Sequence, residues 1–233
     1  MAMTRQIAIP ADEEHLSSLA RPQVPLLMQA YAELNPEDAP TRALSMALSC
    51  LYQAATCHRQ CHGGPHILEA LFGRTYNLCI GAWTLICVCQ YDEALNLIRN
   101  LGEINNLILL LTMDQQLISK WLDATKKERL NGFGPAAVRK ALIAKGISAD
   151  FAGVEWYAEF CEKYVHPTPA TRPNQHTDGL PGQIGPVHQE AGERLALSEL
   201  FEAAIRAAFA ASKLFSMPDI AEELSRAIKD EAK

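Results

Sequence analysis

No glycine-rich phosphate loop, nucleophile elbow or dinucleotide fingerprint occurs in these 233 residues, so no ready-made nucleotide or acyl-transfer motif is on offer. Aromatic residues make up only 7%, and the alternating apolar and polar runs that mark strands are almost absent. Positive charge is in deficit. Lys and Arg number 21 against 27 Asp and Glu, a formal charge of −6 with a pI near 5.7. That excludes the broad basic footprint that duplex DNA requires, and leaves room only for a small basic site. The most apolar stretch, Thr75 to Cys89, runs for 15 residues, includes Asn77 and falls between Arg74 and Gln90, too short to span a bilayer, so no membrane partner is expected. No charged-then-apolar leader opens the sequence. The seven cysteines are an odd number, and several fall in apolar helical segments. The expected compartment is a reduced cytoplasm.

What is present in quantity is helix-forming apolar sequence, with hydrophobic residues at 48%. Residues 1–40 carry Pro10, Pro22, Pro25, Pro36 and Pro40 around a short helical possibility near Leu26 to Leu34, and read as an N-terminal arm. A bundle core follows over 41–165. Its first helix starts at Thr41 as cap, with the row Leu44, Leu48, Leu51 and Ala55, and stops at Gly63, Gly64 and Pro65. A second helix covers His66 to Cys89, a third Tyr91 to Thr112, and a fourth, capped by Asp114, reaches about Lys127. Shorter helices are expected over Ala136 to Lys145 and Ala152 to Val165. A loop rich in Pro, Gly and His occupies 166–192, with the stretch Asn174 to Gln183 open to disorder. Helices over 193–233 then pack back on the bundle, broken at Met217 and Pro218. The fold class is all-α, an antiparallel helical bundle.

The third helix holds the most informative pattern. Asp92, Asn96, Arg99, Glu103 and Asn106 recur at spacings of four, three, four and three, which places them on one helical face. Apolar residues cover most of the remaining circumference, so the helix is expected to be buried, with Arg99 and Glu103 as an i,i+4 pair in or near the interior. A guanidinium there suits either a structural pair or a clamp for a phosphate or carboxylate. Arg74 and Asn77 on the second helix are candidates to face the same cavity.

Two other groups of residues carry chemical potential. His166 ends a helix and precedes Pro167, where the terminal carbonyls favour its cationic form and its intrinsic pKa suits acid–base work. Tyr164 and Arg172 flank it. Cys57, His58, Cys61, His62 and His66 form a cluster in which both i,i+4 pairs have the spacing that helical metal sites use. Those pairs also continue the small and apolar rows of the first bundle helix, so buried free thiols and a helix-end histidine pair are the alternative to a metal-dependent helical enzyme. No cofactor is expected.

The run Gln90 to Glu103, followed by Tyr164-Val165-His166-Pro167, resembles uncharacterised bacterial all-helical proteins with an Arg/Glu helix and a Tyr-x-His helix end, which are similar to the HEPN superfamily of helical bundles. The resemblance covers about Thr41 to His166. It implies a homodimer and, in catalytic members, a metal-independent ribonuclease site in which an Arg shortly before a His works at the dimer interface. Here Cys161 stands five residues before His166, so the resemblance implies that Arg99, Arg74 or Arg172 would have to approach His166 in space, with Tyr164 or Asn106 orienting and Glu103 as a third catalytic candidate beside His166 and Arg99. The competing expectation is a binding or interaction module, with RNA or a small anionic ligand as the partner of an Arg/Glu/Asn/His pocket formed by Arg99, Glu103, Asn96, Asn106, Arg74, Asn77, Tyr164 and Arg172.

Overall fold

Helices account for nearly all regular structure, because each apolar segment repeats at 3.6 rather than 2 residues and is bounded by Pro, Gly or a capping side chain. The computed structural model describes residues 15–35, 38–147, 152–176, 179 and 181–231, and among these there is no strand. The first fourteen residues of the expected arm and positions 177, 178 and 180 of the loop lie outside the described residues. In chain order the helices are α1 (His15–Glu33), α2 (Ala39–Ala55), α3 (Ile67–Cys87), α4 (Tyr91–Met113), α5 (Gln116–Asp123), α6 (Lys126–Gly132), α7 (Pro135–Ala144), α8 (Val154–Phe160), α9 (Glu190–Leu214) and α10 (Pro218–Glu231). A π-helical turn, Cys161–Val165, continues α8.

Several boundaries differ from the sequence reading for local reasons. The cap of α2 is Asp38 rather than Thr41: Asp38 Oδ2 accepts from the Thr41 amide at 3.2 Å and from Thr41 Oγ1 at 3.0 Å. The helix ends at Ala55, well before Gly63, because Thr56 turns its hydroxyl back onto the Tyr52 carbonyl at 2.8 Å and Cys57 takes a positive φ of 56°. The expected fourth helix is split in two. Thr125 and Glu128 form a reciprocal capping box that starts α6, which prevents α5 from running on to Lys127. Within the arm the helical stretch is longer than Leu26 to Leu34.

The core is built around α4. Helices α3 and α9 pack on it, α2 lies against α3 and α9, and α10 covers α2 and α9. Close approach is possible because the facing positions are small: Ala43, Ala47 and Ala54 of α2 meet the Ala203, Ala204, Ala207, Ala208 and Ala211 face of α9, all fully buried. Cys50 sits in this seam and donates from Sγ to the Ala208 carbonyl at 3.4 Å. The opposite side of α4 receives α7, α8 and the π turn. There Leu110, Val138 and Leu142 form a smaller cluster of their own. This sandwiching leaves the polar stripe of α4 facing α8 and the 166–189 segment.

Candidate functional site

The stripe on α4 divides among three sets of partners. At its N-terminal end Asp92 pairs with His176, Oδ1 to Nε2 at 2.9 Å with the histidine side chain only 7% exposed, and Asp92 Oδ2 accepts the Asn174 amide at 2.6 Å. Asn174 is buried in a left-handed conformation, φ 41°, and its side chain donates to the Gly185 carbonyl at 3.3 Å. Gln189 accepts from the His176 amide at 2.9 Å, and Gly192 leaves room for the His176 ring, which its own Cβ would meet at 2.8 Å. The loop is therefore strapped to the start of α4 by polar contacts. At the far end Asn106 is buried and donates to the Ala152 carbonyl at 2.9 Å. Asn96 contributes its carbonyl to the Asn100 side chain at 3.0 Å.

The middle of the stripe is chemically the most active part. Arg99 Nη2 lies 2.8 Å from Glu103 Oε1, as the i,i+4 spacing predicts, with the side chains 13% and 26% exposed. Tyr157 of α8 enters between them: its hydroxyl donates to Glu103 Oε1 at 2.8 Å and accepts from Arg99 Nη2. The Arg99 guanidinium lies 4.4 Å from the Tyr157 ring centroid, and a second guanidinium, Arg139 of α7, lies 4.1 Å from the same centroid. Burial, followed by the Glu103 carboxylate, pushes the Tyr157 phenol up to about 12, so it stays a neutral donor over the physiological range. Two cations thus flank one aromatic ring, and only Arg99 of the two is ion-paired to Glu103. Arg99 Nε and Arg139 Nη1 are both buried with no hydrogen-bond partner. Beside Arg139 a cavity of about 130 Å3 opens, lined also by Asn106, Leu142, Ile143, Ile147 and Val154.

The other expected site residues are distributed differently. Arg74 and Asn77 are exposed on α3 and join none of these contacts, because the helix turns its Phe72, Thr75, Leu78 and Cys79 side to the core instead. His166 follows the π turn and is exposed, and its described contacts are main-chain only: its amide donates to the Cys161 carbonyl at 2.8 Å and its carbonyl accepts from Thr171 Oγ1 at 2.7 Å. Tyr164 packs edge-on against Phe160 and stacks on His176, and burial pushes its phenol up. Arg172 is exposed. Of the cysteine and histidine group, His58 is exposed, and His62 reaches away to the Leu214 carbonyl at 3.0 Å. Cys57, Cys61 and His66 do converge, joined by Glu69, but in the turn after α2 rather than on a helix. The remaining thiols are packing groups: burial pushes Cys50 and Cys79 up to about 12 and Cys87 to about 11.

Tyr157 and Arg139 were not among the expected site residues. The only trace of them in the sequence is the aromatic pair Trp156-Tyr157 and the basic pair Arg139-Lys140 within the otherwise apolar α7. No family model, curated protein or solved structure matches this chain.

Proposed function

We propose that the protein is a helical binding module whose ligand is a small molecule carrying a phosphate or carboxylate on an apolar body. The observation that carries this reading is the charge balance around Tyr157: two guanidiniums, one carboxylate, and a buried, unpartnered N–H on each guanidinium. A buried cation without its counter-charge is costly, and a guanidinium fork matches an oxyanion in geometry as well as sign. Glu103 already holds Arg99 and Tyr157 in place. Arg139 is left as the group with its charge free for a ligand. The cavity next to it supplies the apolar contact, since Leu142, Ile143, Ile147 and Val154 line it with Asn106 as the polar exception.

The test is calorimetric titration with phenyl phosphate, benzoate and inorganic phosphate. Saturable binding of an aromatic anion is expected, with inorganic phosphate weaker because it leaves the apolar wall uncovered. Arg139→Gln is expected to weaken binding by roughly ten- to a hundredfold, the range of one charge-assisted hydrogen bond. Equal affinity in the wild type and the variant would remove the site from Arg139.

A further inference from the structure

The α2–α3 connection is wound more tightly than a simple turn between helices requires. Four residues in ten take left-handed backbone conformations: Cys57, Gly63, Gly64 and His66, with φ of 56°, 76°, 60° and 52°. For glycine that is unremarkable. For Cys57 and His66 it is a conformation that L side chains seldom adopt, and it persists only where surrounding contacts hold it. The result is that Cys57, Cys61, His66 and Glu69, one from each part of the connection and one from the first turn of α3, bring a donor atom each within 4.8 Å of one another.

The distances within the group fit a single small cation. His66 Nδ1 is 3.5 Å from Cys57 Sγ and 3.5 Å from Cys61 Sγ. Glu69 Oε1 is 3.9 Å from Cys57 Sγ and 3.9 Å from His66 Nδ1. A tetrahedral centre with metal–sulfur bonds of about 2.3 Å and metal–nitrogen or metal–oxygen bonds of about 2.0–2.2 Å has donor–donor edges of roughly 3.4–3.8 Å. The four distances above are close to that range, and the Cys57–Cys61 and Cys61–Glu69 separations lie within 4.8 Å. Glu69 supplies an independent sign. It is 2% exposed, its Oε1 accepts the His62 amide at 2.7 Å, and its Oε2 is buried with no partner at all. Among the described residues its only ion-pair contact is His66. Oε1 of this carboxylate faces the Cys57 sulfur and the His66 imidazole while its Oε2 stays unpaired, and among the described residues no Lys or Arg forms an ion pair with it. The Gly63 amide donates to Cys61 Sγ at 3.3 Å, a contact that strengthens when the sulfur carries thiolate charge.

We propose that Cys57, Cys61, His66 and Glu69 bind one Zn2+ ion as a closed, tetrahedral structural site. Two thiolates and an imidazole select a borderline-soft metal over Mg2+, Ca2+ or Mn2+, which take all-oxygen shells. Four protein donors leave no open position for substrate. The ion's role is to fix the connection against the end of the bundle. The same connection carries His62, whose ring caps the Leu214 carbonyl at the end of α9 and packs edge-on to Phe215, with centroids 4.7 Å apart. It also carries Arg59, which pairs with Asp219 of α10 at 2.8 Å. Cys61 and the 55% exposed His66 side chain lie at the surface, so the ion has an entry path.

The experiment uses the full chain, purified under reducing conditions, with metal content measured by mass spectrometry and the site then loaded with Co2+. One equivalent of zinc is expected as isolated. Co2+ loading is expected to give the strong visible bands of a tetrahedral ion together with near-ultraviolet thiolate-to-cobalt charge transfer. Cys61→Ser should roughly halve the charge-transfer intensity, and Glu69→Gln should keep it while weakening metal retention. If Cys61→Ser fails to fold, the wild-type cobalt spectrum alone decides. A weak octahedral spectrum without charge transfer, a Cys57–Cys61 disulfide under the same reducing conditions, or two free thiols at these positions with no metal taken up from a zinc-supplemented buffer would each overturn the proposal.

Discussion

At the level of single residues, the pair Arg99 and Glu103 was legible because both lie on one helix, where a spacing of four fixes their proximity whatever the tertiary fold. Tyr157 and Arg139 were not legible. Tyr157 reaches the pair from α8, 58 positions further along the chain than Arg99, and Arg139 reaches the Tyr157 ring from α7, 40 positions further along; helical periodicity carries no information about which side chain of another helix will face a given stripe. Glu69 was not among the metal candidates for a related reason: its position in the first turn of α3 suits a helix-dipole or ion-pair role, and only the turn of the preceding loop brings it to the cysteines. Tyr157 has a titration consequence. Its phenol rests near 10 in an unfolded chain and is pushed up to about 12 in the folded protein, so the folded state holds the proton more tightly. The resulting stability is fully present below pH 10 and is lost as the pH climbs from 10 to 12. Urea unfolding at several alkaline pH values should therefore show a shallower decline for Tyr157→Phe than for the wild type. Parallel declines would mean that the Tyr157 phenol is not held by Glu103 and burial.

Among the elements, the apolar repeats placed α3, α4 and α9 closely, and missed where local polar groups override the pattern. The row that ran on through Cys57 and Cys61 continued the helical period, yet Thr56 and the left-handed Cys57 end α2 first. For the 166–192 loop the sequence leaves Asn174 to Gln183 open between function and disorder, because Pro and Gly content cannot register a polar strap. The strap consists of Asp92, Asn174, His176 and Gln189, and it explains why Asp92 belongs to the stripe: it receives a loop rather than a ligand. Replacing Asp92 with Ala removes the partner of a nearly buried histidine and the acceptor of the Asn174 amide. Hydrogen exchange of the 174–176 amides is expected to accelerate by roughly five- to a hundredfold, with α3 and α9 unchanged. The loss of one buried charged partner, about 1–3 kcal/mol, sets that scale. Unchanged protection of those amides would show that backbone contacts alone hold the segment.

For the molecule as a whole, the antiparallel all-α plan followed from composition and period, while the unequal burial of its two sides did not. One side is the alanine-rich seam between α2 and α9, whose facing alanines are fully buried. The other is the small cluster of Leu110, Val138 and Leu142, flanked by α5 and α6, which bury no residue. Fewer buried contacts mean a lower free energy of local opening. Native-state hydrogen exchange should accordingly find α5, α6 and α7 opening below the global unfolding free energy, and α4 and α9 opening only with it. A single exchange class throughout would contradict this division. The candidate ligand site lies on the more weakly packed side, where Arg139 of α7 meets Tyr157 of α8. A bound anion bridging these helices would tie that side to α4 and raise its protection, by mass action on the closed form.

The most direct test of the anion reading is nitrogen-resolved NMR of the arginine Nε–H groups during titration with phenyl phosphate. Saturable shifts of the Arg99 and Arg139 signals, with the exposed Arg74 and Arg172 unmoved, are the expected result. Shifts at Arg74 or Arg172 with Arg99 and Arg139 unchanged would contradict it.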